Sequence, residues 1–235
     1  FSPPNSDSLQ QDFIACGRFV PKKSPLSTIR AFAKVVKVYP DSKLTFIGDG
    51  ELLKDAILLT SELKIENNVD FKGVLSQEEV SAQLKKHAIF VQHSIKTDQN
   101  DSEGTPLSIL EAAAAQLAIV ATKHGGILDV IENGNNGFLV DEGDIDSMAQ
   151  RMLELLENDG LRIQFGKEAR STVLENYRQA DYIAELETQI NQAEVPTKKE
   201  SRISIWKKRL IVFTVLFLIA EIGFRFIGYK PGVIE

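Results

Sequence analysis

AIFVQHSIKTDQNDSEGTPLSILEAAAAQLAIVA, residues Ala88 to Ala121, is the stretch on which the reading of this chain turns. Ala88–Gln92 is a short apolar run of strand character. A polar loop containing Gly104 follows. Pro106–Gln116 then repeats apolar residues at helical spacing, and Ala118–Ala121 is a second apolar run. Strand, loop, helix and strand in this order make a βαβ unit, whose two strands run parallel.

The alternation extends both ways. Upstream, strands are predicted at Phe13–Cys16, Lys43–Ile47 and Val69–Phe71. Helices are predicted at Ser24–Val38, at Leu52–Leu63, and from a Ser76/Glu79 capping box to about Lys86. Downstream come a short helix at Leu128–Glu132, a strand at Gly137–Val140, and helices at Ile145–Asn158 and Leu161–Asn191. The predicted fold class is α/β: a Rossmann-like parallel sheet with helices on both faces, followed by a hydrophobic helical tail. Three segments are expected: a polar, proline-marked linker (1–12), the α/β body (13–195) and a tail (196–235) that is first basic and then hydrophobic.

Composition narrows the function. With 43% hydrophobic and 26% charged residues the chain can build a core, so disorder throughout is excluded. One cysteine, Cys16, excludes an intrachain disulfide framework and a cysteine-built zinc cage. The net charge of −6 divides into −11 for residues 1–195 and +5 for 196–235. An acidic body lacks the basic footprint of sequence-independent nucleic-acid binding, so no nucleic acid is expected as a partner.

Parallel sheets bind ligands beyond the carboxyl ends of their strands, at helix N-termini. Two segments lie at such places. In the first, Gly104 and Thr105 let backbone approach a ligand, and Pro106 suits the first helical turn. The free amides and the helix dipole there favour an anion such as a diphosphate. At ~1.5 Å rise per residue, Glu103 and Glu111 are expected on the order of 12 Å apart, a span that suits a nucleotide diphosphate-sugar. In the second, GRFVPKK (Gly17–Lys23), Arg18 and Lys23 can supply two cations to the diphosphate. Taken singly, each of these charged residues reads more readily as a solvated surface group. Gly48-Asp49-Gly50 imitates a dinucleotide fingerprint, but Leu53 fills the third glycine position, which disfavours an NAD site. Cys16 reads as core, and His93 and His124 as structural or cleft residues.

Four motifs in this order, GR-x4-K, VDFKG, EGTPLSILEA and VATKHGGILDVIENGNNGFLV, resemble the nucleotide-sugar-binding half of family 4 retaining glycosyltransferases, in particular those of bacterial exopolysaccharide and colanic acid synthesis. The resemblance covers roughly residues 1–190. It implies one half of a GT-B fold, with an amino-terminal acceptor domain missing, Phe1-Ser-Pro as the end of the interdomain linker, and little or no transfer by this half alone. The resemblance casts Arg18 and Lys23 as holding the donor diphosphate, Glu103 as meeting the sugar and Glu111 as meeting the ribose. The backbone of Gly104, Thr105, Pro106 and Leu107 falls around the distal phosphate and sugar, with Gly17 beside it and Val74 at the base. Glu103, Arg18 and Lys23 are thereby the catalytic candidates. The expected substrates are a UDP- or GDP-sugar and a saccharide or lipid-linked acceptor, with no cofactor and no metal. Ser24, Gln116, Ala118 and Leu128 depart from the family pattern, at positions that concern turn geometry. A non-catalytic nucleotide-sugar-binding module and a sugar-nucleotide epimerase of the same architecture remain alternatives.

The tail carries Trp206-Lys-Lys-Arg209 and then the apolar run Leu210–Ala220. A membrane or signal anchor through 210–224 is expected, short against the ~20 residues of a full span. The basic flank would stay cytoplasmic, which puts residues 1–195 in the cytoplasm at the inner face of the membrane. The tail also resembles the start of membrane-anchored SGNH-hydrolase-like proteins, which leaves open a fused domain.

Overall fold

A computed structural model describes residues 10–97, 104–177, 188 and 206–217. The chain divides into two compact units, Phe1–Arg178 and Gln179–Glu235.

The first unit holds six strands, β1 (Gln10–Cys16), β2 (Leu44–Ile47), β3 (Val69–Phe71), β4 (His87–Gln92), β5 (Ala118–Thr122) and β6 (Phe138–Val140). They form one sheet in the order β3-β2-β1-β4-β5-β6, and every pairing is parallel. Helices α1 (Pro25–Val38), α2 (Leu53–Glu62), α3 (Gln77–Leu84), α4 (Leu107–Ala114), α5 (Ile145–Glu157) and α6 (Asp159–Asn176) connect and cover it.

Alternation along the strands builds two cores. Phe13, Ala15, Ile89, Val91, Val120 and Phe138 pack on one face with Ile29 and Phe32 of α1 and Met148 and Met152 of α5. Ile14, Phe90, Ile119 and Leu139 pack on the other with Ile109, Ala112 and Ala113 of α4 and Ala169 and Val173 of α6. Both faces are apolar, as a helix-covered parallel sheet requires, so the strands read as continuous hydrophobic runs.

The expected fold class is present, with local corrections. β1 begins at Gln10, inside the expected linker, because its first residues pair with β4 at Gln10↔His87. The short helix expected at Leu128–Glu132 is instead a 3-10 turn at Gly125–Ile127, where Gly125 has φ +48°. Helix α6 ends at Asn176, and most of the remainder of the expected helix to Asn191 lies outside the described residues.

Helix α4 also differs. Pro106 is its N-cap, extended at ψ 123°, and the helix ends at Ala114. The amide of Gln116 then bonds to Ala113 (2.9 Å) and that of Leu117 to Ala112 (3.1 Å), which is a Schellman closure. That closure places Gln116 in the left-handed region, at φ +67°. Ser24 stands at φ +37°. Both departures from the family pattern therefore sit where glycine is favoured. Gln116→Gly is expected to stabilise the domain by roughly 1 kcal/mol, by removing the Cβ penalty of that conformation. Urea denaturation followed by circular dichroism measures it; a lower midpoint would refute the turn argument.

Residues 206–217 of the tail are helical and leave Trp206, Leu210, Phe213 and Phe217 exposed. At ~1.5 Å per residue this segment measures about 18 Å, short of the ~30 Å hydrocarbon layer. No helix among the described residues is long and apolar enough to cross a membrane, so the transmembrane helix expected from the sequence is not found there. Residues 218–224 of the apolar run lie outside the described residues.

Candidate active site

The sheet order sets the location. From β1 the chain winds outward through β2 and β3, then returns to place β4 on the other side of β1. The winding reverses between β1 and β4, so the connections leaving these two strands diverge to opposite faces and open a crevice at their carboxyl ends. The turn after β1 carries Gly17, Arg18 and Lys23. The segment after β4 leads to Gly104–Leu107 and α4.

On the β1 side, a 3-10 turn at Pro21–Lys23 brings Lys23 back over the strand end. A Cβ at Gly17 would stand 3.5 Å from Lys23 Cε, so the side chain lies across this glycine. Arg18 is exposed. A pocket here is lined by Cys16, Gly17, Arg18, Lys23, Thr28 and Gln92, residues from both sides of the switch point.

On the β4 side, the N-cap residue Pro106 gives α4 no side-chain cap, whereas Asp144 caps α5 and Asn158 caps α6. A helix start whose N-cap residue offers no oxygen can receive an anion on its first amides. Two contacts hold this helix start. Gln92 is buried at the end of β4 and accepts a hydrogen bond from the Ser108 hydroxyl (3.0 Å). Gly126 packs against the backbone of the loop before α4: a Cβ there would lie 2.5 Å from the Thr105 amide nitrogen and 2.8 Å from the Gly104 carbonyl carbon. The two sides are joined as well, because the Ile95 amide donates to the Lys22 carbonyl (2.9 Å).

Glu111, on α4, is half-buried, and burial pushes its carboxyl up to about 7. Cys16 is pushed up to about 12, chiefly by burial and then by the charge of Glu111, while Lys23 acts the other way. Cys16, at the end of β1, thus feels the charges of both Glu111 and Lys23. Val74 lies beyond β3, 72% exposed, in a loop tied to the end of β2 by the Gly48 amide and the Gly73 carbonyl (2.8 Å). Glu103 lies outside the described residues, as do Asp98 and Asp101. Because α4 starts only at Leu107, the helical span of about 12 Å between Glu103 and Glu111 does not apply.

His93 is structural. It is fully buried, its Nε2 accepts the Gly143 amide (2.9 Å), and its Nδ1 faces the Met148 sulfur (3.3 Å). Burial lowers its pKa to about 4, so the ring is neutral near pH 7. His124 is buried against Glu142 (2.5 Å). The bracing by Gly126, Gln92 and Glu142 was not assigned from sequence. His124-Gly-Gly126 announced a turn, but nothing local announced what it packs on.

The G-R-x4-K turn after β1 and α4 with its half-buried Glu111 after β4 flank the switch point. The sequence profile of "Glycosyl transferases group 1" matches residues 2–172. The chain belongs to this family.

As a group 1 glycosyl transferase it has relatives in polysaccharide and glycolipid synthesis. It is 31% identical to the N-acetyl-alpha-D-glucosaminyl L-malate synthase of Bacillus anthracis over 175 residues, 74% of this chain and 44% of that one. It is 27% identical to the putative colanic acid biosynthesis glycosyltransferase WcaL of Salmonella typhimurium over 170 residues, 72% of this chain and 42% of the relative. A crystal structure of a mutant of S. aureus TarM, in complex with Fondaparinux, alpha-GlcNAc-glycerol and UDP, superposes with a TM-score of 0.71 at 26% identity. The match covers 80% of this chain and 37% of TarM. The chain thus spans less than half the length of these relatives.

Proposed function

We propose that this chain is the donor-binding half of a retaining glycosyltransferase that takes a UDP- or GDP-sugar and passes the sugar to a saccharide or lipid-linked acceptor in cell-surface polysaccharide synthesis. The observation that carries the reading is the switch-point crevice, with Gly17–Lys23 on one side and the uncapped start of α4 on the other. The UDP bound in the S. aureus TarM structure supports the donor class.

In this reading Arg18, Lys23 and the backbone around Gly104, Thr105, Pro106 and Leu107 surround the diphosphate. They stabilise the negative charge that grows on it as the bond to the sugar breaks, which is where electrostatic catalysis acts. Glu103 orients the sugar. Glu111 accepts the ribose hydroxyls, and Val74 offers an apolar surface to the base. Transfer requires an acceptor-binding half, supplied by the remaining length that the relatives have. Calorimetric titration of this chain with UDP and GDP tests the reading. Saturable binding of one of them is expected; saturation by neither would remove the assignment.

A membrane partner through 210–224 belongs to the same proposal, with the α/β body at the inner, cytoplasmic face. Its support is the exposed apolar helix behind Lys207, Lys208 and Arg209. Anionic lipid attracts such a basic flank by about 1 kcal/mol per charge. The chain is expected to float with vesicles containing phosphatidylserine, and less with phosphatidylcholine alone. Recovery wholly in the unbound fraction would contradict it.

A further inference from the structure

The segment from Lys96 to Thr105 connects β4 to the anion-binding start of α4. Its two ends are held by different neighbours, and both neighbours meet one side chain. Glu142, just beyond β6, accepts the backbone amide of Lys96 with Oε2 (2.8 Å). Its other oxygen, Oε1, lies 2.5 Å from His124 Nδ1. His124 is the residue from which the Gly125–Ile127 turn starts, and its carbonyl accepts the Ile127 amide (3.1 Å). That turn presents Gly126 to the backbone of Gly104 and Thr105. One carboxylate therefore holds the first end of the segment directly and the second through a buried histidine and a close-packed turn.

The base of this clamp is itself fixed. The next residue, Gly143, donates its amide to fully buried His93, just after β4, and Lys123 pairs with Asp141 at 2.9 Å. Asp144 caps α5 through the Ser147 amide (2.9 Å). The loop bearing Glu142 thus hangs from β4, β5 and α5, and Glu142 can transmit that rigidity to the segment. A second anchor near the same end, Ile95 to the Lys22 carbonyl, ties the segment to the cationic turn but not to the Gly126 side.

We infer that Glu142 is a positioning residue for the donor diphosphate: it touches no ligand, and it sets where the Gly104–Leu107 backbone stands by clamping both ends of the segment before α4. The inference rests on the donor-site reading above. Surface carboxylates with two exposed partners contribute little. Here one partner is a backbone amide and the other a ring that is only 3% exposed, so both bonds are directional and the one to His124 is partly shielded.

Two readouts on the full chain test it, the first without ligand. Amide hydrogen exchange of Glu142→Ala is expected to quicken about ten-fold at Lys96, Gly104, Thr105 and Leu107, with the α1 and β5 amides unchanged. Equal exchange in both proteins at Gly104–Leu107 would overturn the clamp. Uniform acceleration over the whole body would overturn it too, by showing a general structural role. The second readout is titration with UDP and with UMP, which lacks the distal phosphate. Glu142→Ala is expected to raise the Kd for UDP about ten-fold and leave UMP within two-fold, because only the distal phosphate reaches this backbone. Equal loss for both nucleotides would overturn the positioning role. Glu142→Gln keeps one acceptor for Lys96 and is expected to recover most of the UDP affinity and the Lys96 protection; no recovery would count against the clamp. If the unaltered protein binds neither UDP nor GDP, the donor reading fails, and the exchange pattern still decides whether Glu142 clamps the segment.

Discussion

Lys23→Ala is expected to raise the Kd for UDP about fifty-fold, the equivalent of ~2.3 kcal/mol for losing a charge-assisted bond to the diphosphate. The size follows from placement. Lys23 is held across Gly17 by the Pro21–Lys23 turn, so little side-chain freedom is lost when the anion arrives. Without it the diphosphate keeps Arg18 and the α4 amides, so binding weakens but does not vanish. Lys23→Arg restores the charge on a longer, planar group and is expected to recover only part of the affinity. Uridine, which has no phosphate, should bind both proteins alike. The wild-type affinity should also fall with salt, and the variant's should fall less steeply. Calorimetric titration at two salt concentrations checks all of this. Superimposable curves for wild type and Lys23→Ala would remove Lys23 from the site.

Glu111 sets a pH dependence on the same binding. Burial raises its carboxyl to about 7, so it is half-ionised in the free protein at that pH. Ribose hydroxyls donate to the ionised form. From pH 8 to pH 6 the ionised fraction falls from about 0.9 to about 0.1, so the Kd for UDP is expected to rise about ten-fold as pH falls. The phosphate of UDP titrates nearby, with a pKa of ~6. Glu111→Gln provides the correction: its profile keeps the phosphate contribution and lacks the carboxylate one. Identical profiles would mean that Glu111 does not meet the nucleoside.

The same shift has a consequence for folding, with the opposite sense. An acid whose folded pKa lies above its unfolded value of ~4.3 binds more protons when folded. Stability therefore falls as pH rises from ~4.3 through about 7. Glu111→Gln abolishes that loss and is expected to stabilise the apo protein at pH 8 by on the order of 2 kcal/mol, discounted from the full shift because the carboxylate is partly solvated. A binding residue whose removal stabilises the apo fold marks a site where function opposes stability.

Much of this fold was legible along the chain. Ala88–Gln92 and Ala118–Ala121 are apolar runs between turn signals, because strands buried on both faces leave no polar alternation to confuse them. Ser76 and Glu79 announced α3 because a capping box is local chemistry, and both of its bonds are present. Boundaries were less legible. Pro106 looked like a helical residue, since proline suits the first turn, yet tertiary packing of the preceding loop on Gly126 makes it the N-cap. The left-handed Gln116 was visible only as a departure from the family pattern, because a glutamine carries no conformational signal of its own.

Of the candidate site, sequence alone determined the types and order of the groups: two cations after the first strand, a glycine-marked loop, and a helix carrying a glutamate. These are properties of short segments, set by local backbone preference and residue chemistry. Tertiary structure decided that the segments meet. The sheet order puts β4 beside β1, across two intervening strands in the chain, and so brings Lys23 and Gln92 to one crevice, with α4 tied to Gln92 through Ser108. It also raised Glu111, because burial depends on what the rest of the fold stacks around a carboxylate. Glu142 shows the limit most clearly. Its partners stand 18 and 46 residues away. No short-range pattern can encode such contacts; only the closure of the sheet brings them within hydrogen-bond reach.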